Sequence, residues 1–268
     1  MSKVITSIVY PLEHHCILKF MSIISLLMLC QFSLAQAPNL TNWKIDTLPM
    51  GDLIYKANQS ENDWLFVQSG DTWEIVNNPY SIQKGDSLPF SKKFINKKFN
   101  LFKGRKFVKK TSDGYLIGFK NGEFSGSLYF MNLKGRGVYE IEKGLTINNF
   151  FEFQSRIYAI EGLYFGKIIE IFKENGFWKT QTVSNLYDIP KLIANHNNEK
   201  LIVGSQYIFK FGKELKPIEI LKSPFYWGML YPSSILIDNQ DFYLSMRQGV
   251  LKIKKFDTNP TYEWFIPK

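Results

Sequence analysis

Cysteine and histidine are nearly missing from most of this chain. Cys16 and Cys30 are its two cysteines, and His196 is the one histidine of three that lies beyond residue 35. Without cysteine, disulfides, thiol catalysis and cysteine-ligated zinc are excluded for the chain after residue 35. A single histidine also excludes a multi-histidine metal site, and it leaves one candidate base for a serine or cysteine triad. Phosphate-binding glycine loops and calcium loops are missing too, so we predict no metal, no cofactor and no catalytic residues.

The most apolar stretch of the sequence lies near the N-terminus, in residues 20–34. At about fifteen residues it is shorter than the roughly twenty that a membrane-spanning helix needs. Ser33 and Ala35 place small residues where a signal peptidase requires them, which predicts cleavage before Gln36. We therefore expect a signal peptide at 1–35 and an exported bacterial protein, periplasmic or extracellular, with no membrane span in the mature chain. Two alternatives remain: the apolar stretch is an uncleaved membrane anchor, or the true start of the protein is Met21.

Two segments near the C-terminus repeat one pattern. Residues 190–211 align with 232–253 without a gap, at an offset of 42, and each contains three short apolar strands. The turns between the strands are rich in asparagine and aspartate, which tolerate positive φ and hydrogen-bond to their own backbone. Weaker copies lie upstream, the first of them beginning with a predicted strand at 53–55. The second strands of the five copies centre near Phe66, Leu116, Tyr158, Ile202 and Leu244.

Five units of three or four short strands, 42 to 50 residues apart, are typical of a β-propeller, whose small sheets stack radially. No long helical pattern interrupts them. Residues 41–48 and 262–266 lie outside the units, and one of these strands is expected to complete a blade shared by the two chain ends. We predict an all-β fold with 36–268 as a single β-propeller domain of five blades, with six left open. An open two-sheet sandwich is the alternative.

The last unit carries a family resemblance. Residues 232–238 and 243–253 run in the order apolar strand, aspartate turn, second strand, turn with glycine, and a strand of apolar and basic residues. This order resembles the blades of bacterial regulator-type and NHL-like propellers. The resemblance covers roughly residues 50–255 and implies a fold rather than a function.

Positive charge is concentrated in one segment. Residues 92–110 contain nine basic residues, no acid and several interleaved phenylalanines, in a chain whose net charge is +9. One interpretation is a site for polyanions such as acidic polysaccharide or lipopolysaccharide phosphates. The alternative is a solvated outer strand and loop that protects a sheet edge from aggregation. The anion-binding candidates are Lys97, Lys98, Arg105, Lys106, Lys109 and Lys110.

Aromatic residues collect in loops that precede predicted first strands, where loops of a propeller meet at one end of the channel. Residues 223–232 and 184–190 are the conspicuous loops. Aromatic faces with a few charged groups suit sugars or peptides, although the same residues would also suit packing under the next blade. The ligand-binding candidates are Trp227, Tyr231, Arg247, Tyr187 and Asp188.

Binding is the function that these patterns favour. We expect a non-enzymatic binding or scaffold protein of unknown ligand, with glycan, peptide or an anionic cell-envelope polymer as candidate partners and nucleic acid not expected. The alternative is a propeller hydrolase or lyase acting on carbohydrate or peptide. Its acids, of which Asp188, Glu123 and Glu161 are candidates, occupy unlike positions. Two or three carboxylates within about 5–10 Å of one another in the channel would favour the hydrolase.

Overall fold

Antiparallel strands joined by tight turns make up nearly all the regular structure. The computed structural model describes residues 37–78, 85–91, 93–95, 104–121 and 126–268, all within a compact unit that begins at Gln36. The predicted signal peptide and Glu123 lie outside the described residues. The strands, in chain order, are β1 (Trp43–Asp46), β2 (Trp64–Ser69), β3 (Thr72–Asn77), β4 (Arg105–Lys110), β5 (Gly114–Lys120), β6 (Gly126–Asn132), β7 (Val138–Lys143), β8 (Ile147–Phe153), β9 (Arg156–Gly162), β10 (Gly166–Glu174), β11 (Phe177–Leu186), β12 (Leu192–His196), β13 (Glu199–Val203), β14 (Tyr207–Phe211), β15 (Pro217–Lys222), β16 (Ser234–Asp238), β17 (Asp241–Ser245), β18 (Val250–Lys254) and β19 (Thr261–Pro267).

The described strands form five antiparallel sheets, which we number I to V in chain order. Sheet I pairs β2 with β3, and sheets II, III and IV are four-stranded meanders of β4–β7, β8–β11 and β12–β15. Sheet V has five strands in the order β16-β17-β18-β19-β1. Its outer pair joins the two chain ends, since Trp43 lies opposite Pro267 and Asp46 opposite Trp264. Both strands predicted outside the repeat units therefore lie in one sheet, shared by the two ends as expected.

The repeat appears in the structure as two equivalent hairpins in neighbouring sheets. The second strands of the two copies are β13 in sheet IV and β17 in sheet V. Leu192 lies opposite Val203, and 42 residues later Ser234 lies opposite Ser245 in the same register. The repeated segments thus belong to separate sheets and occupy the same place in each, as the alignment predicts.

The first repeat unit differs from the prediction. Residues 53–55 are not a strand but begin α1 (Leu53–Asn58), whose Ile54 and Ala57 are buried in the cluster that holds the short 3₁₀-helix Trp227–Leu230. A spacing of three places those two side chains on one helical face, a period that the short apolar run concealed. Consequently β2 is the first strand of its sheet. The first strands begin at residues 64, 105, 147, 192 and 234, which are 41 to 45 residues apart.

Sheets III, IV and V are buried on both faces by their neighbours. Leu201 and Val203 pack in the cluster shared with sheet V, whereas Ile202 between them packs in the cluster shared with sheet III. Successive side chains of a strand point to opposite faces, so a strand covered on both sides is apolar at consecutive positions. The first strands contact one another in sequence, β4 with β8, β8 with β12, β12 with β16, and β16 with β2. This succession brings the starts of the five sheets together around one cavity.

Candidate functional site

The first strands enclose a cavity of about 730 Å³. Every sheet contributes to its wall, either from a first strand or from a loop or strand end beside one. The described lining residues are Leu65, Gly104, Arg105, Phe107, Lys120, Asn148, Asn149, Lys191, Leu192, Gly228, Tyr231, Pro232, Ser233 and Ser234. A cavity of this size, apolar with a few converging polar groups, has the usual form of a small-molecule site.

Three cationic side chains from two of the sheets converge on this cavity. Arg105 begins β4, Lys120 ends β5, and Lys191 immediately precedes β12. All three are half-buried, and no carboxylate is found among the described lining residues. The Nε atom of Arg105 is buried and has no hydrogen-bond partner in the part of the chain that the structure describes. The guanidinium carbon lies 4.7 Å from the centroid of the Phe107 ring. The wall therefore carries positive charge that the described lining does not neutralise.

Asn148 orients one of these cations. Its Nδ2 atom donates to the carbonyl oxygens of Gly162 and Pro190, both at 2.9 Å. Because both amide hydrogens are used, Oδ1 is left as an acceptor, and the ammonium of Lys120 donates to it at 2.8 Å. Asn148 stands at the irregularity in the pairing of β8 with β9, where the register shifts. A bulge of this kind re-aims a side chain, here toward the neighbouring sheet.

Burial and mutual repulsion weaken proton binding at the cationic wall. Burial, with added repulsion from Lys191 and Arg105, lowers the pKa of Lys120 to about 8. Burial also lowers the pKa of Lys191, an effect that the charge of Asp188 partly opposes. The pKa of Arg105 is lowered by burial as well, against the opposing charge of Asp86. Desolvation disfavours the charged form of a base, and a nearby cation disfavours it further.

Sheets I and V supply a different kind of wall, made of Leu65, Tyr231 and Pro232. Tyr231 has left-handed backbone angles, φ 52° and ψ 69°, which are uncommon for a bulky residue and cost free energy. Its ring is 44% exposed. The guanidinium carbon of Arg247 lies 4.6 Å from the ring centroid, so one face of the tyrosine is covered by a cation.

Arg247 is held in place by sheet I and α1. Its Nε donates to the Asp63 carboxylate at 3.1 Å, and its Nη1 donates to the backbone and side-chain oxygens of Asn58, both at 3.1 Å. Asp63 is 4% exposed. A buried carboxylate needs such a partner, so this ion pair ties sheet V to sheet I and fixes the cation beside Tyr231.

Two of the five predicted ligand-binding residues, Tyr231 and Arg247, are in contact. Trp227 is 0% exposed, and its indole N–H donates to the carbonyl of Gly204 at 2.8 Å, so its ring offers no face to a ligand. Sequence reasoning assigned Trp227 to the loop at 223–232. It did not predict the 3₁₀-helix in this loop, which turns the Trp227 ring into the core.

The other two candidates lie together on sheet IV. Tyr187 is exposed, but its ring meets Tyr207 and Phe209 edge-on. The buried carboxylate of Asp188 accepts the backbone N–H of Ile189, Gln206 and Tyr207, which makes it a loop brace. Neither residue is in the cavity lining.

The structure describes part of the basic segment. Lys97 and Lys98 lie outside the described residues, and Arg105, Lys106, Lys109 and Lys110 belong to β4. That strand is the first of sheet II and packs on β8, so this part of the segment is not an outer strand or loop. Arg105 faces the cavity, whereas the Lys109 ammonium lies 2.6 Å from a carboxylate oxygen of Glu152. Lys106 and Lys110 are not in the cavity lining.

Sequence reasoning missed Lys120, Lys191 and Asn148. None of the three belongs to a recognisable motif, and lysine is abundant throughout the chain, so no local pattern distinguishes these positions. Of the predicted acids, Glu161 is buried, accepts the N–H of Thr146 at 3.2 Å, and has a pKa raised mainly by burial. It does not line the cavity, so the described part of the chain lacks the carboxylate group in the channel that would favour a hydrolase.

Comparison with known proteins finds fold-level similarity alone. No family model and no curated protein matches the chain. A structural genomics protein of unknown function from Bacteroides thetaiotaomicron is 14% identical over 59% of this chain and 42% of its own, with a TM-score of 0.41. The extracellular domain of a protein assigned as a hybrid two-component system, from the same organism, is 15% identical over 77% of this chain and 26% of its own, with a TM-score of 0.45.

A third similar structure is a catalytically inactive virginiamycin B lyase from Staphylococcus aureus, solved with quinupristin. It is 14% identical over 82% of this chain and 73% of its own, with a TM-score of 0.41. This chain thus spans less than half the length of the first two structures, and TM-scores below 0.5 identify neither a family nor a function for it. In the described part of the chain, no helix has the length and apolarity needed to cross a membrane.

Proposed function

We propose that this protein is an exported five-bladed β-propeller that binds a small anionic ligand in its central cavity. The five sheets correspond to the blades, with β2, β4, β8, β12 and β16 as their inner strands. Three features support this architecture: inner strands that contact one another in succession, starts 41 to 45 residues apart, and apolar clusters between neighbouring sheets. The final sheet, built from both chain ends, would close the ring.

The observation that carries the binding proposal is the concentration of positive charge in the described lining of the cavity. Arg105, Lys120 and Lys191 face one space with no carboxylate among the described lining residues. Bringing like charges together under partial burial costs free energy, which an opposite charge would recover. The ammonium of Lys120, oriented by Asn148, is a donor suited to an oxyanion, and the half-buried guanidinium of Arg105 adds positive charge to the same lining.

We expect Lys191→Met to weaken the binding of a carboxylate or phosphate probe by about tenfold or more, since a charged hydrogen bond contributes roughly 1.5–3 kcal/mol. Methionine keeps most of the aliphatic length and removes the charge. Isothermal titration calorimetry with acetate and with inorganic phosphate would measure the change. Lys110→Met, at the exposed end of β4 and outside the cavity, is the matched control and should bind as the wild type does. Equal affinity of the Lys191 variant and the control would contradict an anion site here.

Export is supported by the apolar stretch at 20–34 and the small residues Ser33 and Ala35. Expressed with its own N-terminus in a bacterial host, the protein should be recovered outside the cytoplasm with Gln36 as its first residue. Mass spectrometry of the N-terminal peptide would decide the point. Recovery of the exported protein with Met1 or Met21 still attached would overturn cleavage at this site.

A further inference from the structure

The two kinds of cavity wall restrict the class of ligand. Arg105, Lys120 and Lys191 belong to sheets II and IV, with Asn148 of sheet III between them. Leu65, Tyr231 and Pro232 come from sheets I and V, which line another part of the cavity. Phe107 and Leu192 add apolar surface beside the cations. The described lining is therefore charged on one part of the cavity and largely apolar or aromatic on another.

From this division we infer that the ligand is an amphiphilic organic anion: a single carboxylate or phosphate head on an alkyl or aryl body. The inference rests on the proposed anion site. The head would meet the three cations, and the body would lie against Leu65 and the free face of Tyr231. An inorganic oxyanion would use the cations and leave the apolar wall wet, so it would gain nothing from burial of that surface.

Tyr231 is the residue that specifies the body of the ligand. The backbone just before Tyr231, a residue with left-handed backbone angles, is anchored, since Arg247, in the turn between β17 and β18, donates its backbone N–H to the carbonyl of Leu230 at 2.7 Å. Strain of this kind persists where surrounding contacts impose it, and it is concentrated at binding sites. Arg247 covers one ring face, so the ring is fixed and a flat or apolar group can stack against the other side.

The serine hydroxyl groups in the described lining are already engaged. Ser233 and Ser234 both contact the hydroxyl of Ser245, and Ser234 also accepts the N–H of Phe66 at 2.8 Å. The side chain of Asn149 accepts the N–H of Phe150 at 2.8 Å. Few free polar groups thus remain for the many hydroxyls of a sugar ring. The apolar wall favours an alkyl or aryl body over a carbohydrate.

A series of straight-chain carboxylates from acetate to octanoate tests this inference. Each added methylene that enters the cavity should strengthen binding about fourfold, the equivalent of roughly 0.8 kcal/mol per buried methylene. Calorimetry or ligand-detected NMR at pH 7 and constant ionic strength would give the slope. Inorganic phosphate, sulfate and glucuronate serve as comparison ligands and should bind no more tightly than acetate.

Two variants separate the walls. Tyr231→Ala should flatten the dependence on chain length by weakening octanoate much more than acetate, and Lys191→Met should weaken every member of the series by a similar factor. Tyr187→Ala, an exposed tyrosine outside the cavity, is the control and should keep the wild-type slope. A flat wild-type series, or tighter binding of phosphate or glucuronate than of hexanoate, would overturn the amphiphilic ligand and leave the anion site standing. Absence of binding by every anion would overturn the proposed function itself.

Discussion

Replacing Trp227 with alanine is expected to lower the free energy of unfolding by about 3–5 kcal/mol. The side chain is 0% exposed and lies in the largest apolar cluster, between the end of sheet IV and α1. Alanine would leave a cavity the size of an indole and an unpaired carbonyl at Gly204, which now accepts the indole N–H at 2.8 Å. For a protein of this length the melting temperature should fall by roughly 10 °C.

The same variant separates a core role from a binding role. If Trp227 is a core residue, the folded fraction of the variant should bind anions as the wild type does. Tyr164→Ala, on a 73% exposed side chain, is the control, and its free energy of unfolding should change by no more than about 0.5 kcal/mol. Wild-type stability of Trp227→Ala combined with lost binding would show that the residue contacts ligand after all. Urea unfolding followed by circular dichroism, together with calorimetry, gives both quantities.

Removing the charge of Lys120 is expected to stabilise the unliganded protein relative to the wild type, and this gain should be larger below pH 8 than at pH 10. In the folded state the pKa of Lys120 is about 8, lowered from 10.5 by burial and by two neighbouring cations. Below pH 8 both folded and unfolded states carry the proton, so the cost of burying the charge is fully present. Between pH 8 and 10.5 the unfolded state binds more protons, so wild-type stability rises with pH and the cost disappears.

The pH dependence distinguishes the effect of this charge on stability from the effect of lost packing. Lys120→Met also removes the donor to Asn148, but that loss is the same at every pH. The difference in unfolding free energy between Lys120→Met and the wild type should therefore shift by about 2–3 kcal/mol between pH 7 and pH 10. Urea titrations at four pH values would measure it, with Lys110→Met as the control that should track the wild type. A difference that does not change with pH would show that burial of the Lys120 charge does not destabilise the folded state.

An anion in the cavity should reverse this effect, because it stabilises the protonated amine and raises its pKa. Binding near pH 8 is then expected to take up a proton, and affinity should fall above pH 8 by up to about tenfold per pH unit. Calorimetry in two buffers of different ionisation enthalpy would count the protons. In Lys120→Met the affinity should be weaker and less dependent on pH over this range.

Much of the strand pattern could be predicted because it is local. Asn197, Asn198 and Asn239 have positive φ and form hairpin turns where the sequence predicts them. The gapless repeat identifies equivalent strands because two sheets that pack between their neighbours in the same way need the same sequence of apolar positions. Consecutive apolar residues such as 201–203 indicate a strand buried on both faces, a requirement that each short sheet has by itself.

The candidate site could not be predicted in this way, because its members are distant in sequence and ordinary in type. Arg105 and Lys120 meet through the pairing of β4 with β5, and Lys191 joins them through the packing of three successive sheets. No local pattern records which lysines face inward. The helix at 53–58 and the burial of Trp227 likewise depend on each other, since both pack in one cluster that neither segment could form alone. Turns and strands follow from local backbone preferences and apolar periodicity. The position of a charge relative to other charges follows from the packing of several sheets against one another.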